Sequence, residues 1–266
     1  MQRVKEKAIQ LLKDGVVDRV IGWKAGEFFY DLTPAVFTSA EEVEKDFVWS
    51  VFSAANVSKY LIAESKKGGR IAAFLKPCDS YSFVQLCKEH RIAKENVYVV
   101  GVQCDGTCDI EKLKALGFKG VTGVEERGEE LLVSTLYGGK TAAKKDALLE
   151  RCTVCKSKRI AYFDELLGEQ GEDCGDARFE AVEKLEAMTP EERFAFWRGE
   201  LSRCIRCNAC RNVCPACSCE KCVFDNHALG TDNKAAADDF EENFFHIIRA
   251  FHVASRCTDC GECSRV

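Results

Sequence analysis

The chain has 266 residues, of which 46% are hydrophobic and 30% charged, and its formal net charge is -5 at pH 7. This length accommodates one large or two modest domains, and the composition is that of an ordinary soluble protein. The acidic balance argues against nucleic-acid binding, and no apolar run reaches the roughly 20 residues of a membrane span. We therefore expect a cytoplasmic protein.

The first 175 or so residues alternate helix and strand signals. The predicted elements are a helix over 4–15, strands over 17–23 and 27–32, a helical segment after a capping box of Ser39 and Glu42, and a helix over 53–66. Two strand-loop-helix units follow, with strands at 70–76 and 96–102 and helices at 80–90, capped by Ser80, and 110–117. Short apolar strands alternating with helices predict a parallel sheet with right-handed crossovers.

The rest of the chain gives weaker signals. It predicts a strand pair over 118–138, a helix over 141–152, a linker over 170–178, a helix that starts at Thr189 and Pro190, a solvated connection over 226–243 and a last amphipathic helix over 244–257. We predict an α/β domain with a mostly parallel sheet over residues 1–175. A mainly helical domain over 176–266 follows it.

Cysteine is the unusual component, with seventeen residues. Disulfides are reduced in the cytoplasm, so a disulfide scaffold explains them poorly. Buried thiols account for Cys87 and Cys174, but not for the ten cysteines between 204 and 263 at short regular spacings. These favour ligation of a metal or a cluster.

The stretch CIRCNACRNVCP, residues 204–215, has the spacing of a two-cluster ferredoxin, in which three cysteines hold one 4Fe-4S cluster and the fourth serves the other. The predicted ligands are Cys204, Cys207 and Cys210 for the first cluster, and Cys257, Cys260, Cys263 and Cys214 for the second. The fourth ligand of the first cluster falls at position 267, so we expect the native chain to continue past Val266.

Zinc is the alternative for these cysteines, but it prefers two C-x2-C pairs on separate knuckles. Three more cysteines, Cys217, Cys219 and Cys222, follow in CPACSCEKC. They could be cluster ligands, a substitute for the missing fourth cysteine, or buried thiols near the clusters. The spacing alone leaves these alternatives open.

Four cysteines of the first domain also belong together. Cys78 and Cys104 follow neighbouring predicted strands, so both should lie at the carboxyl edge of the sheet, where open α/β sheets place ligands. A position just before a helix should lower the pKa of Cys78. With Cys152 and Cys155, a C-x2-C pair, they predict a third cluster, for which Cys108 is an alternate ligand.

At these residues the chain resembles the beta-subunit family of deazaflavin-reducing (coenzyme F420 type) hydrogenases and formate dehydrogenases. The resemblance covers about residues 60–170 and is carried by Cys104, Cys152, Cys155, Asp164, Gly168 and Glu169. Gln103 stands where the family has proline, and Cys108 is extra. The tail is similar to electron-transfer subunits of anaerobic sulfite reductases and heterodisulfide-reductase-type complexes, whose tails continue to Cys-Pro.

The resemblance implies an iron-sulfur electron-transfer subunit of an anaerobic redox complex, with catalytic or carrier subunits as partners and with FAD as a further cofactor. The sequence itself contains no dinucleotide fingerprint and no nucleophile with a partnered base. We therefore name no catalytic residue and leave open whether the chain is an enzyme by itself. The alternatives are a flavin-containing subunit that reduces a deazaflavin and, from another class, a zinc-stabilised binding module.

Overall fold

A computed structural model describes residues 2–226 and 239–266. Its helices are α1 Gln2–Lys13, α2 Ala40–Asp46, α3 Leu61–Glu64, α4 Pro77–Lys88, α5 Ile110–Ala115, α6 Lys144–Ala147, α7 Glu150–Thr153, α8 Glu180–Glu186, α9 Pro190–Leu201, α10 Ala209–Val213 and α11 Asp239–Val253. Its strands are β1 Arg19–Ala25, β2 Leu32–Phe37, β3 Ile71–Leu75, β4 Val97–Val102, β5 Val121–Arg127, β6 Glu130–Thr135, β7 Gly138–Ala143 and β8 Glu165–Leu167.

The main sheet has the strand order β2-β1-β3-β4-β8. Strands β1, β3, β4 and β8 are parallel, and β2 is antiparallel to β1 at the edge. Alternate residues of β3 enter different cores: Ala72 and Phe74 face the side of α1 and α2, whereas Ile71 and Leu75 face the side of α4. Burial on both faces explains why β3 and β4 read as continuous apolar runs. The predicted α/β sheet is thus mixed, with a parallel centre.

The predicted strand over 27–32 is wrong. Residues 26–31 form the turn between β1 and β2, closed by a hydrogen bond from the Gly26 amide to the Asp31 carbonyl (2.6 Å). Phe28 stacks on Tyr30 within this turn, with ring centroids 5.3 Å apart. The aromatic residues that suggested a strand therefore pack against each other in a hairpin connection.

Two helix predictions also need correction. Residues 53–66 do not form one helix but a 3₁₀ turn, Val57–Lys59, and α3. Helix α4 begins at Pro77 rather than after Ser80, so Cys78 lies in its first turn. The Asp79 carboxylate accepts a hydrogen bond from the Lys76 amide. Proline is favoured in the first turn of a helix because no N–H is needed there.

A second, antiparallel sheet follows in the order β5-β6-β7. The predicted pair over 118–138 gains β7 as a third strand, and the predicted helix over 141–152 is reduced to α6 and α7. Leu131 and Val133 of β6 pack with Leu113 of α5 in a separate core. This second sheet is separate from the main sheet. The chain that follows it, α6 and α7, returns to the edge of the main sheet and places Cys152 there.

The C-terminal part consists of helices and cysteine loops. Thr189 and Glu192 form the capping box at the start of α9, as the sequence predicted at Thr189 and Pro190. Most of the predicted connection over 226–243 lies outside the described residues. No helix among the described residues has the length and apolar character that a membrane crossing requires.

A buried ion pair lies at the carboxyl end of β3. The Lys76 ammonium is 2.8 Å from the Asp79 carboxylate, and the two side chains are 2% and 0% exposed. Lys76 also donates to the Ala55 carbonyl (3.2 Å) and lies 4.5 Å from the centre of the Trp23 ring. Such a pair contributes little net stability, but removing one partner leaves the other charge buried and alone.

We predict that Asp79→Ala lowers the free energy of unfolding by about 3–5 kcal/mol, because it leaves the Lys76 charge unpaired inside the domain. Urea unfolding followed by circular dichroism measures the change. The control is Glu180→Ala, which removes the exposed i,i+4 partner of Lys184 and should leave the midpoint unaltered. Equal midpoints for both variants would contradict the assignment.

Candidate functional site

One cavity collects the four cysteines predicted in the α/β domain. Its lining includes Cys78 from α4, Cys104 after β4, and Cys152 and Cys155 from α7 and the loop that follows it. The parallel pairing of β3 and β4 brings the first two together at the sheet edge, as expected from topology. Four cationic residues share the lining, which suits a set of thiolates: Lys76, Arg151, Lys156 and Lys158.

Hydrogen bonds converge on the sulfur atoms of this cavity. The Thr107 amide and hydroxyl lie 3.4 and 3.3 Å from Cys152 Sγ, and the Gly106 amide donates to Cys104. Burial raises the pKa of both Cys78 and Cys104, so the lowered pKa predicted for Cys78 is wrong. Metal coordination would deprotonate these thiols outright.

Two other cysteines fall differently from expectation. Cys108, the alternate ligand, packs in the apolar core with Leu113 and Leu131, and burial raises its pKa to about 12. Cys174, interpreted as a buried thiol, is half-buried. Burial first, and then the nearby Cys174, raises the pKa of Cys155. The Cys174 amide is bonded to the Lys156 carbonyl, next to Cys155 in the chain. Cys174 is therefore a neighbour of the cavity that sequence spacing could not identify.

The two C-terminal cysteine triplets share one backbone conformation. Arg206 and Asp259, each two residues after the first cysteine of its triplet, have φ of 52° and 58°. Asn208 and Gly261, each four residues after it, have φ of 63° and 64°. Left-handed conformation at matching positions establishes that the triplets are a structural repeat, which the sequence indicated only crudely.

This conformation turns backbone amides toward sulfur. The Arg206 amide lies 3.4 Å from Cys204 Sγ, and the Asp259 amide lies 3.4 Å from Cys257 Sγ. Alternating right- and left-handed residues form concave rows of N–H groups that many iron-sulfur sites use. Hydrogen bonds to sulfur are also one of the ways in which proteins set cluster potentials.

The triplets also lie beside each other. Helix α10, which contains Cys210, packs against residues Glu262–Ser264, so the second triplet adjoins the third cysteine of the first. Cys214, the predicted fourth ligand of the second cluster, is hydrogen-bonded to Cys217. It directly follows α10, the helix that packs against residues Glu262–Ser264 of the second triplet.

The three extra cysteines line a separate cavity of about 220 Å³. The lining combines Cys217, Cys219 and Cys222 with Lys59, Arg211, Arg249 and Arg256. The hydrogen bond with Cys214, together with the Arg249 guanidinium at 3.4 Å and Lys59, lowers the pKa of Cys217 to about 5. Cys217 is thus the cysteine of this group whose thiolate is best stabilised.

Sequence reasoning missed the charged residue that joins the α/β domain to the second triplet. Arg151 is paired with Glu262 at 2.5 Å and donates to the Cys260 carbonyl at 3.2 Å. The Ser82 and Thr258 hydroxyls, 2.9 Å apart, form a second connection. The signal available in the sequence was weak: Arg151 precedes Cys152, and Glu262 stands between Cys260 and Cys263.

These residues fit iron-sulfur chemistry by their donors and their backbone. The sets are sulfur-rich and, in the described residues of the motifs, contain no histidine. Across residues 2–226 and 239–266, no three Cys, His, Asp or Glu side chains are close enough to hold a single metal ion. A cubane is wider than one ion and takes its four thiolates at separate iron atoms.

The C-terminal part of the chain matches a known protein family. Residues 200–266 match the family described as 4Fe-4S dicluster domain. This match confirms the predicted iron-sulfur domain and favours iron-sulfur over the zinc alternative. It covers both triplets and the three extra cysteines.

Two curated relatives span most of the chain. The F420-dependent formate dehydrogenase subunit beta of Methanocaldococcus jannaschii is 25% identical over 311 aligned positions, which cover 95% of this chain and 81% of the relative. The F420-dependent formate dehydrogenase 1 subunit beta of Methanococcus maripaludis is 26% identical over 276 positions, covering 80% and 71%. The predicted resemblance to the beta-subunit family is confirmed by these relatives.

Among solved structures, the F420-reducing [NiFe] hydrogenase complex from Methanosarcina barkeri contains a chain that is 18% identical to this one. The match covers 57% of this chain and 58% of that chain, with a TM-score of 0.46.

We predict that Asn208→Val removes about four irons per chain, because a β-branched residue at positive φ costs about 1–3 kcal/mol and reverses the turn that orients the amides of the first triplet. Iron and acid-labile sulfide are counted after anaerobic reconstitution. Asn208→Gly is the matched control and should retain the wild-type count, since glycine adopts this conformation freely. Wild-type iron in the valine variant would contradict the role of the turn.

Proposed function

We propose that the chain is an iron-sulfur electron-transfer subunit of an anaerobic oxidoreductase complex that oxidises formate or a similar donor. One observation carries the proposal: a cavity with four cysteines in the α/β domain adjoins a 4Fe-4S dicluster domain through Thr258, Asp259 and Cys260. The relatives, which are named as subunits of F420-dependent formate dehydrogenases, support the class of complex. A cytoplasmic location and catalytic or electron-carrier subunits as partners are part of this proposal.

The proposed domain boundaries are 1–175 for the α/β domain and 176–266 for a ferredoxin-like domain with two clusters. The proposed ligands of the dicluster domain are Cys204, Cys207 and Cys210 for one cluster, and Cys257, Cys260 and Cys263 with Cys214 for the other. Cys217, Cys219 and Cys222 remain candidates for the open ligand position. A third cluster would be held by Cys78, Cys104, Cys152 and Cys155.

A bound 4Fe-4S cluster supplies one-electron transfer, and the residues of this chain set the conditions for it. The cations that line the α/β cavity balance the negative charge of the thiolates. The Thr107 amide and hydroxyl donate toward Cys152, and the Gly106 amide toward Cys104.

A flavin is the second candidate cofactor, and its proposed place is a cavity of about 300 Å³ on the other side of Cys104. Trp49, Lys76, Lys144 and Gly168 line it at the carboxyl ends of β3, β4 and β8. A planar ring there would lie next to the cysteine cavity, and F420 dependence of the relatives suggests a two-electron carrier beside one-electron sites. FAD, the cofactor that the sequence resemblance implied, is the flavin that we propose for this cavity.

We predict about twelve irons per chain with equal sulfide after anaerobic reconstitution, which corresponds to three 4Fe-4S clusters, and about eight if the α/β cavity holds none. The double variant Cys78→Ser/Cys104→Ser should lose about four irons and keep the dicluster domain. Iron analysis and low-temperature electron paramagnetic resonance measure both.

The matched control is Cys87→Ser, a half-buried cysteine on the same helix α4, which should keep all the iron. Equal iron in the double variant and the wild type would refute the third cluster. Zinc without labile sulfide in the wild-type protein would refute the proposed function as a whole.

For the flavin, we predict that protein purified with FAD supplied releases about one isoalloxazine per chain on acid denaturation, read by fluorescence. Lys144→Glu should abolish this release, because it places a negative charge at the cavity wall and repels Glu126, its present partner. Lys184→Glu on the exposed face of α8 is the control. Flavin-free protein under these conditions would exclude the second cofactor.

A further inference from the structure

Arg151 contacts the α/β domain and the dicluster domain with one guanidinium. Its Nη2 donates to the Ala54 carbonyl at 2.6 Å, while its Nη1 contacts Glu262 at 2.5 Å and the Cys260 carbonyl at 3.2 Å. The side chains of Arg151 and Glu262 are 9% and 2% exposed. A planar fork with several fixed donors can hold three acceptors at once, which lysine cannot do.

The aliphatic part of the Arg151 side chain is also closely packed. A side chain at Gly261 would place its Cβ only 2.6 Å from Arg151 Cβ, so the turn of the second triplet lies directly on this stem. Gly261 also has φ of 64°, which the repeat requires at this position. The turn of the second triplet therefore packs directly against the Arg151 side chain, with no space for a larger residue at position 261.

The charge of Arg151 lies between the two cysteine sites. Its guanidinium is paired with Glu262 and lines the cavity with Cys78 and Cys152, and it is permanently charged because a guanidinium is not deprotonated in proteins. Glu262 is shared with Arg265, at 2.6 Å, so the triad of two arginines and one carboxylate keeps one positive charge. The other charged residues of the cavity are Lys76, which Asp79 neutralises, Lys156, Lys158 and Asp259.

We propose that Arg151 is the positioning residue that seats the second cysteine triplet on the α/β domain and holds a fixed positive charge between the two cysteine sites. This inference rests on the proposed function, since it concerns clusters at those sites. Reduction adds one electron and hence one negative charge to a cluster, without a proton. A nearby cation favours the reduced form and raises the potential.

The experiment uses the full chain, reconstituted anaerobically and titrated with dithionite in the presence of redox mediators. In Arg151→Gln, the reduction equilibrium of the cluster at the second triplet should fall about tenfold, a shift of 59 mV for one electron, because the buried charge is lost. In Arg151→Lys the potential should stay near wild type. Hydrogen exchange over residues 258–264 should become about tenfold faster in both variants, because neither can hold all three acceptors.

Arg265→Gln is the matched control. It removes another arginine bound to Glu262, but Arg265 is bonded within the triplet and not to the α/β domain. Exchange over residues 258–264 should remain at the wild-type rate in this variant, and faster exchange in Arg265→Gln equal to that in Arg151→Gln would contradict the positioning role of Arg151.

Iron and sulfide counts separate the failure of this inference from failure of the proposed function. A wild-type protein without iron would refute the function itself. Wild-type iron in Arg151→Gln with unchanged potential and unchanged exchange would overturn the role of Arg151 alone. If Arg151→Gln does not retain iron, Arg151→Lys decides: faster exchange at unchanged potential supports the inference, and wild-type exchange overturns it.

Discussion

The interaction on which the sheet edge depends is the buried ion pair between Lys76 and Asp79. It fixes the first turn of α4 through the Lys76 amide, and it ties that turn to the Ala55 carbonyl in the preceding loop. Cys78 lies between the two charged residues in sequence, so the pair sets where this sulfur enters the cavity. The tryptophans that enclose Lys76, at 4.8 Å from each other, exclude water from the ammonium. A charge that is costly to bury is thus retained at the point where the cysteine site begins.

The cysteine cavity could be predicted from sequence because it follows from local signals and one topological rule. Apolar runs marked β3 and β4, and parallel pairing by right-handed crossovers puts their ends at the same edge. The start of α4 was also encoded, by Pro77 in the first turn and Asp79 after it, but the serine at position 80 looked like a more ordinary cap. Pro77 as the first helical residue places Cys78 inside the helix, where burial raises the pKa of its thiol.

The Arg151–Glu262 contact between the domains could not be predicted, because its partners are far apart in sequence and ordinary in type. Arg151 and Glu262 are separated by 111 residues, and each stands beside cysteines whose spacing drew the attention. The prediction for residues 26–31 failed for another reason: Phe28 and Tyr30 have strand propensity, but here their rings stack on each other within a turn. Spacing predicted a set of sulfur ligands, whereas the charges around these cysteines depend on tertiary structure.

The repeat of the two triplets is symmetric in backbone and asymmetric in surroundings. Thr258 and Cys260 of the second triplet contact Ser82 and Arg151 of the α/β domain, whereas the segment after the first triplet contacts this domain through Lys59, which donates to the Arg211 and Asn212 carbonyls. Cys210 lies next to Cys263, and Cys260 lines the α/β cavity. The second triplet therefore lies between this cavity and the first triplet. Under the proposed ligand sets, the spatial order of the sites runs from the α/β cavity through the second triplet to the first. In the sequence, however, the first triplet precedes the second. The fold therefore places the last cysteines of the chain nearest to the cysteines of the α/β domain.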